Sequence, residues 1–245
     1  MPSSNFSKRA SSYEANAHIQ RSYASSLVNK SIEFLKSSTP KIADLGCGTG
    51  SICEEATKHF QSLTLENYDI SEEMLNLTKQ KFSQPGISFH LNSTPIGYDY
   101  DMIISNFALQ WYENLPNVLN TCISRLKQGG IMAVCLPVSG SFDTLRLCFE
   151  KADAEGFFFK FPEQKSILES LRDTNILFQE LREEDLIYGS TLDFFKNIHQ
   201  IGANQAGKNL SKTKLRKLIH YHDELFDEKI IVKYKILNLI VKRVH

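Results

Sequence analysis

The chain has 245 residues, 42% of them hydrophobic and 23% charged, and its 28 basic and 28 acidic side chains cancel. That is enough for one domain with a substantial core and an added subdomain, and the even charge argues against a protein built mainly to grip nucleic acid. The polar start, Met1 to Arg9, has no apolar signal core, no 18-residue apolar run exists, and five cysteines form no C-x-x-C pair; a cytoplasmic chain with reduced core thiols and no membrane span is expected.

Residues 1–12 read as an arm. A helix is expected from about Tyr13 to Lys36, with Ala17, Ala24, Leu27, Ile32 and Leu35 near one face, ended by Thr39-Pro40. Strands are expected at Lys41–Leu45, Leu63–Tyr68, Ile87–Leu91, Met102–Ser105 and Ile131–Leu136, and helices at Ser51–His59, Glu72–Phe82 and Asn114–Lys127. Ser71 before Glu72 and Glu73 is an N-cap with acids in the first turn. Gln128-Gly-Gly130 reads as the C-cap of the third helix. Such strand–helix alternation specifies a parallel sheet with right-handed crossovers.

After Pro137 the alternation stops. Helices are expected at Ser141–Glu155, Glu163–Arg172, Leu192–Ile201 and Ser211–Phe226, with an aromatic run at Phe157–Phe161. Ile176–Tyr188 reads as a charged amphipathic strand, and Ile230–Val241, rich in Ile, Leu and Val, as a strong final one.

The most informative stretch is Lys41-Ile-Ala-Asp-Leu-Gly-Cys-Gly-Thr-Gly50. It is a short strand running into a glycine turn that lets a ligand approach the backbone closely. Asp44 closes the strand; Gly46, Gly48 and Gly50 form the turn; the helix start at Ser51 points free N–H groups at the ligand. Asp69, followed by Ile70, comes 19 residues after Gly50, where a nucleoside-binding sheet places its ribose acceptor. The glycines run G-x-G-x-G, not the dinucleotide G-x-G-x-x-G, because Ser51 stands at the sixth position. A second segment, Asp101-Met-Ile-Ile-Ser-Asn-Phe-Ala-Leu-Gln-Trp111, brings Ser105, a candidate cofactor-binding residue, and Asn106 to the end of the fourth strand. Asn106 and Gln110 are candidates to orient a polar group, and Trp111 either walls the pocket or packs with Phe107 and Leu109 under a cap.

The acid-x-Gly-x-Gly-x-Gly form resembles motif I of the class I S-adenosylmethionine-dependent methyltransferases. The Ser105-Asn-Phe-Ala-Leu-Gln-Trp111 run is similar to the malonyl-acyl-carrier-protein O-methyltransferases of biotin synthesis. So are Phe6-Ser-Lys-Arg-Ala and Tyr13-Glu-Ala-Asn-Ala-His-Ile-Gln20, Gly140-Ser141, Ile201-Gly-Ala-Asn204 and Tyr234, so the likeness spans nearly the whole chain. It implies an α/β fold, a Rossmann-like seven-stranded class I methyltransferase sheet with a helical cap. The expected parts are an N-terminal arm and helix over the pocket (1–38), the cofactor-binding core (39–137), a helical cap (138–229) whose strand at about 176–188 joins the core sheet, and the final antiparallel strand (230–245). The acid and glycines of motif I then hold the methionine end of S-adenosylmethionine, and Asp69 the ribose.

One departure stands out. The family carries an acid after the third strand, near the adenine, and then a longer loop; here His90-Leu-Asn-Ser-Thr-Pro95 has no acid, and Asn92 or Ser93 must meet the adenine amino group.

The implied substrate is a malonyl group on a carrier protein, methylated on its free carboxylate. Such a carboxylate, with pKa roughly 4, is already ionised at neutral pH, so positioning and water exclusion suffice and no general base or metal is required. Tyr13 matches the family's N-terminal tyrosine and is a candidate to close over the substrate, and Arg146 is a candidate partner for its charge. Lys208, Lys212, Lys214, Arg216 and Lys217 place five cations within ten residues, either a solvated helix face or the dock for an acidic acyl-carrier protein. A methyltransferase of another small carboxylate or quinone-type ring, and a non-catalytic cofactor-binding regulator, remain alternatives; base methylation is disfavoured because no Pro-Pro-aromatic run follows the fourth strand.

Overall fold

The structure, a computed structural model, describes residues 18–200, 210–226 and 229–244. The elements run α1 (His18–Ile32), β1 (Lys41–Leu45), α2 (Ser51–His59), β2 (Thr64–Asp69), α3 (Glu72–Lys81), β3 (Ile87–Leu91), β4 (Tyr100–Asn106), α4 (Leu115–Arg125), β5 (Leu126–Pro137), α5 (Asp143–Lys151), α6 (Gln164–Ser170), β6 (Thr174–Tyr188), α7 (Thr191–Gln200), α8 (Lys212–Asp223) and β7 (Ile230–Arg243). The seven strands form one sheet in the order β3-β2-β1-β4-β5-β7-β6. The first five are parallel and β7 runs antiparallel between β5 and β6.

Strand alternation sorts the core into two layers. Ile42, Met102, Ile104, Ala133 and Ile240 face one side, under α1, α2, α5 and α8. Ala43, Leu45, Ile103, Met132 and Leu239 face the other, under α4 and α6. The β1–β5 runs are nearly continuous in apolar residues because both faces are covered. The Ser71 cap forms as expected, its hydroxyl accepting the Met74 amide at 3.3 Å, and Asn114 also caps α4 through the Asn117 amide at 3.2 Å.

Three boundaries differ from the sequence reading. α1 ends at Ile32, well before Pro40, because Phe34 and Leu35 close a tighter turn through i−3 bonds to Ser31 and Ile32 and pack against the core. Gln128-Gly-Gly130 is not a helix cap. α4 stops at an extended Leu126, and the glycines lie in β5 beside the register shift between Tyr100 and Met102. Gly129 has φ 76° and a Cβ on Gly130 would lie 2.8 Å from the Tyr100 carbonyl, so this pair forms a bulge. The helix expected over Ser141–Glu155 is shorter, since Phe142 (φ 61°) and Asp153 (φ 50°) interrupt it at both ends.

β7 pairs with β5 only over Ile236–Lys242 but with β6 over Ile230–Arg243. The Tyr188 end of β6 and the Ile230 end of β7 therefore project past the carboxyl end of β5 as a two-stranded ribbon. The chain between those two ends carries α7 and α8, which places both helices at the carboxyl end of the sheet. A run of ring contacts ties the ribbon inward: Tyr23–Phe107 (5.9 Å between centroids), Phe107–Tyr234 (6.1 Å), Tyr234–Phe142 (4.3 Å) and Phe142–Phe194 (5.3 Å).

Candidate functional site

Strand order reverses between β1 and β4, so a crevice opens at their carboxyl ends. Asp44 pairs in register with Ile104, and alternation puts Asn106 on that same face two residues on. Both Asp44 carboxylate oxygens are sealed from solvent and have no hydrogen-bond partner among the described residues. Burial first, and the Asp69 charge second, push this carboxyl well above the ordinary range. Such a group favours a cation or a set of donors beside it.

The loop after β4 adds more acceptors. The Asn106 amide nitrogen donates to the Gln20 carbonyl of α1 at 2.8 Å, and the Gln110 amide nitrogen to the Phe107 carbonyl at 2.8 Å. Their side-chain oxygens, with that of Gln20, are buried and unpartnered among the described residues. Trp111 is half-buried against the core layer under α1, closing the short 3-10 turn Leu109–Trp111. Ser105 lies on the opposite face, where its hydroxyl donates to the Leu45 carbonyl at 2.8 Å; it ties β4 to β1, and that hydroxyl is turned away from the Asp44 side.

The glycine turn is built as its spacing implies. Gly46 has φ 71° and a Cβ there would fall 2.2 Å from the Ala108 Cβ, so the turn after β1 rests on the turn after β4. The Gly48 amide donates to Asp69 Oδ2 at 2.9 Å and the Ser71 amide to Asp69 Oδ1 at 2.8 Å. Burial holds the Asp69 carboxyl above its ordinary value, and the Ser71, Gly48 and Ile70 amides offset only part of that rise. A carboxylate has about four acceptor positions, so Asp69 retains capacity beyond these bonds. Gly50 (φ 90°) is the N-cap of α2 and supplies no side-chain cap, which leaves the first amides of that helix open toward the turn.

Two contacts from α3 hold the turn from behind: the Thr78 hydroxyl donates to the Gly48 carbonyl at 2.7 Å, and the Lys81 ammonium to the Thr49 carbonyl at 3.1 Å. Sequence reasoning missed both, because a Thr and a Lys on an amphipathic helix carry no motif.

The short loop after β3 has its own anchor. The Asn92 amide donates to the Asp69 carbonyl at 3.0 Å, its side-chain oxygen accepts the Ser93 amide at 2.7 Å, and the Ser93 carbonyl accepts the Tyr112 hydroxyl. Asn92 and Ser93 thus lie beside Asp69, but that Asn92 oxygen already has a donor. Beneath them the Tyr68 and Tyr100 hydroxyls both donate to Glu66 Oε2 at 2.5 Å, while the Ile96 and Gly97 amides donate to the same two hydroxyls at 3.3 and 3.2 Å. Burial tends to raise the Glu66 carboxyl, but the Tyr100 and Tyr68 hydroxyls and Lys41 outweigh it and hold it below its ordinary value.

Tyr13, Lys208 and the Ile201–Asn204 turn lie outside the described residues. The Arg146 guanidinium lies on the exposed side of α5, paired with Asp143 and Glu150 one turn away on the same helix. On α8, Lys212, Arg216 and Lys217 are exposed, whereas Lys214 is half-buried and donates to the Asp153 carbonyl. Among the described residues no helix is long and apolar enough to cross a membrane.

Residues 43–132, from the middle of β1 into β5, match the family model "Methyltransferase domain". The malonyl-[acyl-carrier protein] O-methyltransferase of Priestia megaterium is 26% identical over 221 residues, covering 83% of this chain and 81% of that protein. The protein of the same name from Acetivibrio thermocellus is 25% identical over 244 residues, covering 90% and 85%. Among solved structures, the Streptomyces coelicolor geranyl diphosphate C-methyltransferase, in complex with S-adenosyl-L-homocysteine, superposes with a TM-score of 0.56 at 12% identity, covering 90% of this chain and 76% of that one. Residues 43–132 thus match a methyltransferase domain, and over most of its length the chain is similar to malonyl-[acyl-carrier protein] O-methyltransferases.

Proposed function

We propose that the protein uses S-adenosylmethionine to esterify the free carboxylate of a malonyl thioester on an acyl-carrier protein, an early step of biotin synthesis. One observation carries the cofactor half of this reading: a fully buried Asp44 carboxylate with no donor among the described residues, at the switch point of the sheet. The residues fit the cofactor. Asp44 and the unpartnered oxygens of Gln20, Asn106 and Gln110 complement the cationic methionyl end, the glycine turn admits it, and Asp69 retains acceptor positions for a ribose diol. Ile70, Asn92 and Ser93 flank the place left for the base. When bound, the cofactor supplies an electrophilic methyl group on a sulfonium.

The chain's part is positioning. The acceptor's carboxylate oxygen is ionised at neutral pH, so no side chain need remove a proton. Trp111 and α1 form the near wall, and α5, α7 and α8 complete the cover that excludes water. The exposed cations Lys212, Arg216 and Lys217 face outward on that cover and suit an acidic carrier protein; rim charges of this kind act mainly on association rate. The relatives' names and the Ser105–Trp111 segment support the malonyl-carrier substrate. The test is transfer of labelled methyl to malonyl-carrier protein, malonyl-CoA and free malonate, with calorimetric binding of the cofactor to the wild type and Asp44→Asn. Label on malonyl thioesters alone is the expected result; transfer to none of them overturns the substrate assignment, and unchanged affinity in Asp44→Asn overturns the cofactor site.

A further inference from the structure

At the ends of β1 and β4 the Asp44 carboxylate and the side-chain oxygens of Gln20, Asn106 and Gln110 are buried acceptors with no partner among the described residues. These suit a cation and repel an acceptor molecule that is itself an anion, which must find its counter-charge elsewhere. Arg146 is already paired with Asp143 and Glu150 on its own helix.

Arg182 is placed to provide that counter-charge. Glu180, Arg182 and Glu184 alternate onto one face of β6, with Arg182 opposite Ile236 and Glu184 opposite Tyr234, and those two β7 residues share a buried cluster with Tyr23 and Phe107. The backbones of β4 and β6 are three strand spacings apart, roughly 14 Å. One side chain bridges that gap. Tyr23 donates its hydroxyl to Glu184 Oε1 at 2.7 Å and packs its ring edge-on against Phe107, the residue after Asn106. The Arg182 guanidinium acts on this same pocket wall, since its charge partly offsets the rise that burial imposes on Tyr23 and on Cys135, the register partner of Asn106. Its Nε is paired with Glu180 Oε2 at 2.7 Å, and its two terminal amino groups have no partner among the described residues. Glu184 is already engaged by Tyr23. What remains is an open planar fork of the kind that matches a carboxylate.

We propose that Arg182 binds the acceptor's carboxylate and so selects a short carboxylate-bearing acyl thioester over a neutral one. This rests on the methyltransferase reading above and adds its specificity residue. The fork holds one carboxylate oxygen. The lone pair of the other forms the new oxygen–methyl bond as the carbon–sulfur bond of the cofactor breaks, its electron pair passing to sulfur, and no proton moves. The product ester is neutral and no longer attracted to Arg182, which favours its release.

The test is binding that needs no turnover. Calorimetry in the presence of S-adenosylhomocysteine would compare malonyl-CoA with its methyl ester on the wild type, Arg182→Gln and Arg182→Lys. The expected result is a wild-type preference for malonyl-CoA of at least about tenfold. Arg182→Gln should abolish that preference and Arg182→Lys should retain part of it, with S-adenosylhomocysteine affinity within twofold in all three. Arg182 is exposed, so the variants are expected to fold, and unchanged cofactor affinity reports that they have. A preference that survives in Arg182→Gln, or one absent from the wild type, overturns the proposal. Steady-state kinetics then separate the two readings: a KM defect with kcat retained in Arg182→Gln follows from this inference, whereas a wild type that binds malonyl-CoA but transfers no methyl defeats the methyltransferase reading and leaves the anion site standing.

Discussion

The Asp69 carboxylate accepts the Gly48 amide at 2.9 Å, so the acid that ends β2 also sets the shape of the glycine turn after β1. Ligand affinity and local fold are therefore coupled at one side chain. Asp69→Ala should weaken cofactor binding by about 1–3 kcal/mol and also lower stability, because the Gly48 and Ser71 amides lose their acceptor. Asp69→Asn keeps an acceptor oxygen and should recover part of the stability but less of the affinity. Calorimetry and urea titration of the two variants decide this; full affinity in a folded Asp69→Ala protein would remove Asp69 from the site.

Asp44 carries a pH signature. Its folded-state pKa is raised by burial and by Asp69, so its ionisation opposes folding. The penalty is absent below the unfolded value of about 3.9, grows as pH rises from there toward the raised folded value, and is complete above it. In the ligand-free protein Asp44→Asn should thus be more stable than the wild type near neutral pH, by about 1–3 kcal/mol, and the gap should shrink on acidification. Unfolding of both proteins between pH 5 and 8 measures it; a gap that widens toward acid would contradict the buried unpaired state.

The Glu66–Tyr68–Tyr100 cluster holds the loop after β3 from below. Tyr100→Phe removes a donor to Glu66 and the acceptor of the Gly97 amide, and should cost about 1.5–3 kcal/mol. Amide exchange at Ile96 and Gly97 should accelerate more than in the rest of the sheet. Because the Glu66 pKa is depressed in the folded state, its contribution is present above its unfolded value of about 4.3 and is lost as pH falls through the folded one. Uniform exchange across the sheet would show that the loop is anchored elsewhere.

The structure narrows the carrier-docking variant. Lys214 holds the Asp153 carbonyl and should be left intact. Reversing Lys212, Arg216 and Lys217 to Glu should slow methylation of the carrier-bound substrate, most at low salt, and spare malonyl-CoA. Equal loss on both substrates would mean a damaged cover, and no loss on either would move the dock to another face.

Local chemistry sufficed for much of this protein. Lys41–Leu45, Ser51–His59 and Ile87–Leu91 stand where their periodicity puts them, and Ser71 caps α3 as its hydroxyl and the following acids require. Asp44, the glycines and Asp69 were legible because a tight turn and its flanking acids lie within thirty residues of chain. What stayed hidden depends on partners distant in sequence. Gly129 and Gly130 look like a helix stop until Tyr100 is laid beside them and makes them a bulge. Arg146 is singled out from the sequence, whereas Arg182 sits in no motif. One pairs with acids three and four residues away on its own helix, while the other is carried by the β6–β7 ribbon toward Tyr23, 159 positions earlier in the chain. A residue's own neighbours decide its helix, strand or turn; which side chains meet across the crevice is settled only when the sheet brings β1, β4 and β6 into one surface.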